Sequence, residues 1–226
     1  MKILLSALIL SLALAGRATA ADAALPAAAP HDWTGAYVGG VIGYGWGTTQ
    51  ARDNLGAPSS DIDYDGFLGG LAIGYNKQFG DLVVGAEADI AYAGLSGSGN
   101  GGIWGCGPPD IDTCAFDVRA LGTVRARLGY AFDNVLPYLT GGLAVGRVEG
   151  ELVGVCVTGN WCGSDTKAGW TAGAGLELAL DEKWSAKVEY LYVDLGTGHF
   201  AQGSGGEGFR ADFRFHALRL GLNYRF

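Results

Sequence analysis

Between Trp33 and Phe226 apolar residues recur at every second position through one segment after another, and the connections between those segments are alternately short and long. A period of two belongs to a β-strand with one greasy face and one polar or small face. The last segment shows it most plainly. Leu218, Leu220, Leu222, Tyr224 and Phe226 form one stripe, with Ala217, Arg219, Gly221, Asn223 and Arg225 between them. Such a strand closes a barrel whose outer face meets hydrocarbon, and its terminal Leu222, Tyr224 and Phe226 read as the signal that barrel-insertion machinery recognises.

Interior segments repeat the pattern. In the first, from about Trp33 to Gly47, Ala36, Val38, Gly40, Ile42, Tyr44 and Trp46 share one face. In the second, from about Gly66 to Phe79, Phe67, Leu71, Ile73 and Tyr75 point outward. Val84, Ala86, Ala88, Ile90 and Tyr92 oppose Gly85, Glu87, Asp89 and Ala91 in the third. Carboxylates at period two cannot both enter lipid, so that face is the lumen. The fourth segment reads as one unbroken apolar face from Phe116 through Val118, Ala120, Gly122, Val124, Ala126 and Leu128 to Tyr130, with Asp117, Arg119, Thr123, Arg125 and Arg127 opposite. The sixth sets Trp170, Ala172, Ala174, Leu176 and Leu178 against Thr171 and Glu177; the seventh sets Trp184, Ala186, Val188, Tyr190 and Tyr192 against Ser185, Lys187 and Glu189. The fifth, Leu136 to Glu149, is apolar or small on both faces and its lipid side is unassigned.

Three connections are tight turns, at Gly80-Asp81, Phe132-Asp133-Asn134 and Asp181-Glu182-Lys183; four, at 48–62, 95–115, 150–168 and 196–209, are long and rich in polar residues, Gly or Ser. Seven such connections join eight strands. The expected fold is all-β: an eight-stranded antiparallel up-and-down transmembrane barrel with short periplasmic turns and long extracellular loops. Aromatics gather near both strand ends, as the two interfacial belts of such a barrel require.

Lys2, the apolar run Ile3 to Ala15 and the small-x-small site Ala18-Thr19-Ala20 predict a secretory signal peptide over residues 1–20. Residues 21–32 read as an Ala/Pro-rich periplasmic leader, and residues 33–226 as the barrel. Removing residues 1–20 takes away two of the 15 basic residues and none of the 23 acids, leaving 13 − 23 = −10. So acidic a chain repels nucleic acid. The 40 glycines have no third-residue period, which excludes collagen; they let curved strands accommodate bulky lumen side chains.

Cys106 and Cys114 fall in the second long loop, Cys156 and Cys162 in the third. In an oxidising compartment, two local disulfides are the expected pairing, with inter-loop pairing and metal binding as alternatives. Gly97 to Gly102 and Gly203 to Gly208 satisfy GxGxxG, yet neither opens a helix that would hold a pyrophosphate, and both read as flexible loops. His31 sits in the leader, His199 in the fourth loop and His216 on the last strand; neither His199 nor His216 has a Ser two residues away on the same strand face, which argues against a lipid-modifying enzyme. No cofactor is indicated.

Glu87 and Asp89 lie beside Arg119, Arg125 and Arg127, while Glu177, Lys187, Glu189, Arg219 and Arg225 converge from the last three strands. These ten residues form either a charged pore or a salt-bridged plug. An eight-stranded barrel is just wide enough for side chains to fill, so the plug is the expected arrangement.

Five blocks carry a resemblance: Trp33 to Gly40; Gly66 to Gly70 with Ile73 to Asn76; Val124 to Tyr130; Gly169 to Glu177; and Lys187 to Gly196. In this order they resemble the small porin-like surface antigens of alphaproteobacterial outer membranes, of the outer-membrane immunogenic protein type, over essentially all of residues 33–226. The resemblance implies an eight-stranded barrel with no shared catalytic residues, and the four cysteines stand outside its pattern. The expected function is a monomeric envelope barrel with exposed loops, in contact with outer-membrane lipids and lipopolysaccharide. The alternatives are loop-mediated binding of haem or a host surface, and a small diffusion pore.

Overall fold

The computed structural model describes residues 31–53, 61–100, 113–153, 162–200 and 209–226. Its elements are β1 (Gly35–Thr49), β2 (Ala51–Asp53), β3 (Ile62–Phe79), β4 (Leu82–Asn100), β5 (Thr113–Tyr130), β6 (Val135–Val153), β7 (Cys162–Ala179), β8 (Trp184–Phe200) and β9 (Phe209–Arg225). Consecutive long strands pair antiparallel, and β1 pairs with both β3 and β9, which closes the sheet. The three-residue β2 continues the line of β1 along β9. The barrel therefore has eight long strands. Closure pairs the first long strand with the last and leaves no sheet edge for lipid to meet.

The three tight turns lie at one end, with Gly80 and Asp133 taking the left-handed conformation (φ 62° and 50°) that reverses the chain in so few residues. The predicted signal peptide, the leader to residue 30 and the central parts of the four long loops fall outside the described residues.

Lipid-facing alternation follows the sequence reading on β1, β3, β4, β7, β8 and the lower half of β9. Ile42, Phe67, Leu71, Ile90, Leu176 and Leu220 all stand exposed on the outer wall. The unassigned fifth segment, β6, turns Leu139, Leu143 and Val145 outward and Leu136, Tyr138, Thr140 and Ala144 inward.

β5 departs from expectation. Its pairing with β6 passes from Val118↔Val148 to Ala120↔Arg147, so Arg119 has no opposite residue. This bulge shifts the alternation by one. Val124, Leu128 and Tyr130 face lipid, but Phe116 and Val118 are buried inside. The unbroken apolar face from 116 to 130 is thus two faces joined at Arg119.

The strands also reach far into the segments read as loops. They run 15 to 19 residues, whereas about 9–11 tilted residues cross a bilayer. At about 3.3 Å per residue and a tilt near 40°, 18 residues rise about 45 Å against an apolar band about 25 Å tall. Above the band the code inverts. Ile62, Tyr64, Leu95, Phe116, Leu195, Phe213 and Phe215 form an apolar core inside the barrel, while Arg119, Asp117, Glu149, Asp194 and Arg214 form ion pairs on its outer surface. This collar folds like a soluble β-barrel set on top of a membrane one.

At the turn end a second apolar layer closes the bore, made by Trp33, Val83, Leu136 and Ala179. Trp33 precedes β1 and is fully buried. Its amide N–H donates to Gln78 Oε1 at 2.8 Å, and the Gln78 amide donates to Thr34 Oγ1 at 3.1 Å. Residues 31–34 therefore belong to the barrel's plug as well as to the approach to its first strand.

Candidate functional site

Between the two apolar layers, β4, β5, β7, β8 and β9 turn charged side chains into one buried layer. Glu87, Asp89, Glu177 and Glu189 face Arg125, Arg127, Lys187 and Arg219, four carboxylates against four cations. Arg125 bridges Glu87 (2.5 Å), Asp89 (3.0 Å) and Glu189 (2.8 Å). Arg219 holds Asp89 at 2.9 Å and Glu189 at 2.6 Å, and Arg127 holds Glu177 at 2.6 Å. Lys187 Nζ reaches Glu87 Oε2 at 2.6 Å. In the strand order β4 and β8 stand half a circumference apart, so this last pair spans the bore.

Isolated charges would be very costly here; each is retained because opposite charge and hydrogen bonds replace water. Tyr37 Oη donates to Glu87 at 2.7 Å and accepts from Arg127 at 2.6 Å. Tyr138 donates to Glu189, Thr123 to Asp89, and Ser185 and Asn223 to Glu177. The Arg127 guanidinium also lies 4.0 Å from the centre of the Tyr138 ring, a cation–π contact.

Eight of the ten charged residues expected in the lumen meet in this layer. Arg225 faces inward but sits below it, its guanidinium 5.1 Å from the Trp33 ring and its Nη1 donating to the Asp32 carbonyl at 2.8 Å. Arg119 is a correction. The bulge points it outward, where its side chain is 46% exposed and pairs with Asp117 and Glu149.

Sequence reasoning passed over the two tyrosines that complete the layer. Their signal is a glycine directly across the ladder: Tyr37 opposes Gly74 and Tyr138 opposes Gly175. A Cβ at Gly74 would lie 2.3 Å from the Tyr37 ring, and one at Gly175 would lie 2.5 Å from Tyr138. Tyr64 opposes Gly47 in the same way within the collar. Each glycine makes floor space for a ring that lies over the neighbouring strand.

Cys106 and Cys156 lie outside the described residues; Cys114 and Cys162 stand near strand ends, Cys114 opposite Gly99 and Leu152, Cys162 opposite Glu151. The first glycine motif is not wholly a loop, since Gly97 to Asn100 belong to β4; the second lies outside the described residues. His199 ends up exposed on β8. His216 points to the outer wall, where its Nδ1 is 2.6 Å from Tyr190 Oη. Leu222 and Phe226 stand exposed on the outer wall, and the Tyr224 ring lies 5.1 Å from that of Trp184 and 5.5 Å from that of Phe226. Among the described residues there is no group of three or more potential metal ligands.

Comparison with known proteins bears on the whole chain. The outer membrane protein beta-barrel domain matches residues 10–226. The 31 kDa outer-membrane immunogenic protein of Brucella melitensis is 37% identical over 237 residues, covering 98% of this chain and 97% of that protein. The 22 kDa outer membrane protein of Rhizobium leguminosarum is 30% identical over 197 residues, covering 86% and 78%. Among solved structures, the outer membrane protein OprG of Pseudomonas aeruginosa superposes with a TM-score of 0.57 at 14% identity, covering 87% of this chain and 98% of that one, a likeness of fold.

Proposed function

Starting from a chain that belongs to the outer membrane β-barrel family, and is thus an integral surface-antigen-type barrel of the outer membrane, we propose that it is a non-conducting, non-enzymatic envelope protein. Its strands carry four loops above the lipid. The observation behind this reading is the Glu87–Lys187 ion pair across the bore, at 2.6 Å with both side chains buried, between apolar layers above and below. Three successive barriers, apolar, ion-paired and apolar again, oppose a hydrated ion.

The collar supports the display role. Strands that continue beyond the lipid with their own apolar core raise the loops clear of the membrane and hold their ends in fixed positions. The relatives' names describe them as immunogenic, and we assign surface exposure of this chain's loops to the same architecture. Insertion machinery is the partner proposed for Leu222, Tyr224 and Phe226.

Purified protein refolded into planar bilayers tests the reading. At most small, rare openings are expected, and large stable steps would overturn it in favour of a diffusion pore. Antibodies against loop peptides should label intact cells; labelling that requires permeabilisation would overturn loop display.

A further inference from the structure

We propose that the turn end of the bore binds one small monovalent anion, a halide, through the Trp33 indole, the Asn76 amide and the Arg225 guanidinium. The site lies between the charge layer and the apolar layer of Trp33, Val83, Leu136 and Ala179. Six buried polar atoms there have no hydrogen-bond partner among the described residues: Trp33 Nε1, Asn76 Nδ2 and Oδ1, Arg127 Nε, Asn223 Oδ1 and Arg225 Nε. None of the five residues is more than 7% exposed. Buried polar groups are nearly always paired, so a cluster of this kind points to a guest. Four of the six atoms are N–H donors, which suits an acceptor that carries no hydrogen of its own.

The strand ladder gathers these donors at one level. Asn76 stands opposite Gly35 on one side and Gly85 on the other, and Arg127 is the next residue across from Gly85. Both glycines are covered by their neighbours: a Cβ at Gly35 would lie 3.2 Å from Arg225 Cδ, and one at Gly85 would strike Asn76 Oδ1. Arg225 and Asn76 therefore lie side by side over the inner wall. The Arg225 guanidinium is also 5.1 Å from the centre of the Trp33 ring. Its Nη1 is taken by the Asp32 carbonyl and His31 Nε2, which leaves the Nε edge for the anion. The amide oxygens of Asn76 and Asn223 suit water bound beside it.

Charge gives the same assignment independently. Among the described residues the buried cations are Arg125, Arg127, Lys187, Arg219 and Arg225, five against the four carboxylates Glu87, Asp89, Glu177 and Glu189. Four of the cations have ion pairs in the layer, and Arg225 is the one left over. The carboxylates whose charge acts on it are engaged elsewhere: Glu177 accepts from Arg127, Ser185 and Asn223, and Asp32 accepts the Thr34 amide. A buried cation without a counter-charge is costly. One monovalent anion balances it, whereas a divalent phosphate or sulfate would leave an excess negative charge in the bore. By joining Trp33 to Arg225, the halide fastens the segment before β1 to the last strand, and it stabilises the closed plug by binding only the folded state.

The test uses full mature protein refolded in detergent in sodium gluconate, into which sodium chloride, bromide or sulfate is titrated at constant ionic strength. Side-chain N–H resonances are followed by NMR, with the Trp33 indole identified from Trp33→Phe. Chloride and bromide should each produce saturable shifts of the Trp33 Nε1–H and Arg225 Nε–H, and sulfate should produce neither. The outer-wall indoles of Trp170 and Trp184 and the Arg219 Nε–H, which already donates to Glu189, should stay in place. R225Q should weaken halide binding at least tenfold, read at the Trp33 indole. In crystals grown with bromide, one anomalous peak should stand against Trp33 Nε1 and Arg225 Nε. An ordered water only at that position, Trp33 shifts no larger than those of Trp170, or unchanged halide affinity in R225Q would overturn the proposal. Heat-modifiable mobility on gels shows separately that each protein is a folded barrel; should R225Q fail to fold, N76A replaces it, and the halide titration of the wild type still decides.

Discussion

Two arginines six residues apart on β5 show how little a residue's type decides and how much its facing does. Arg119 lies outside, pairing in water with Asp117 and Glu149; Arg125 is fully buried and holds three carboxylates. Exposed pairs contribute about 0–1 kcal/mol, whereas breaking a buried one costs about 3–5 kcal/mol because the abandoned charges stay in a dry site. Arg119→Ala should therefore leave stability within about 0.5 kcal/mol of wild type, and Arg125→Met should cost several kcal/mol. Glu87→Gln should be similarly costly alone. The double variant Arg125→Met with Glu87→Gln should be more stable than the sum of the singles implies by about 1–3 kcal/mol, since it removes one charge of each sign. Reversible urea unfolding in lipid vesicles measures all four. Additive singles would mean that the layer does not act as a network. At Gly74 a methyl group would meet the Tyr37 ring. Gly74→Ala should cost about 1–3 kcal/mol by overpacking, and the cost should fall when Tyr37 is also shortened.

At the scale of the strand, facing is set by counting, and β5 is where the count changes. A period of two predicts every side chain from one, until a bulge inserts a residue. Nothing in Val118-Arg119-Ala120 announces the bulge, because Phe116 and Val118 are as apolar as the lipid-facing Val124 and Leu128. The charged lumen positions of β4, β7, β8 and β9 were legible since carboxylates, Lys187 and Arg219 at period two have only one tolerable side. The collar was not, since an apolar stripe looks the same whether it faces lipid or an interior core. Trp33 was hidden for a related reason: a large aromatic at the start of a strand fits an interfacial belt as readily as a plug. The count also yields a prediction. Deleting Ala126 brings Arg125 and Arg127 together, so one must enter hydrocarbon at a cost of about 2–4 kcal/mol while its carboxylates lose their partner. Heat-modifiable barrel should be lost. Deleting Arg119, which β6 already leaves unpaired, should preserve it. Gel mobility before and after boiling separates the two outcomes.

For the molecule as a whole, the layered bore makes the turn end the place where solution conditions act on closure. The charge layer is walled off on both sides, but the lower apolar layer is held in part by a short segment before the first strand. His31 Nε2 lies 2.5 Å from Arg225 Nη1, and the His31 ring packs edge-on against Trp33 at 4.7 Å. Partial burial, then the positive charge of Arg225, hold the imidazole pKa below its ordinary value; Asp32, Glu177 and Asp181 oppose that shift more weakly. A histidine depressed in the folded state stabilises it fully above the unfolded-chain value. As pH falls below about 6.5 the unfolded segment takes up a proton that the folded one resists, and the stabilisation is lost through the folded pKa. Protonated His31 would also stand against the Arg225 guanidinium. Protection of the Trp33 and Gln78 amides from hydrogen exchange, both tied to this segment by hydrogen bonds, should therefore decrease from about pH 7 to about pH 5 after correction for intrinsic exchange. His31→Gln keeps a polar side chain without the titration and should remove the pH dependence, while amides in the middle of β4 stay protected throughout. Equal protection of Trp33 at both pH values in the wild type would show that His31 does not govern the plug.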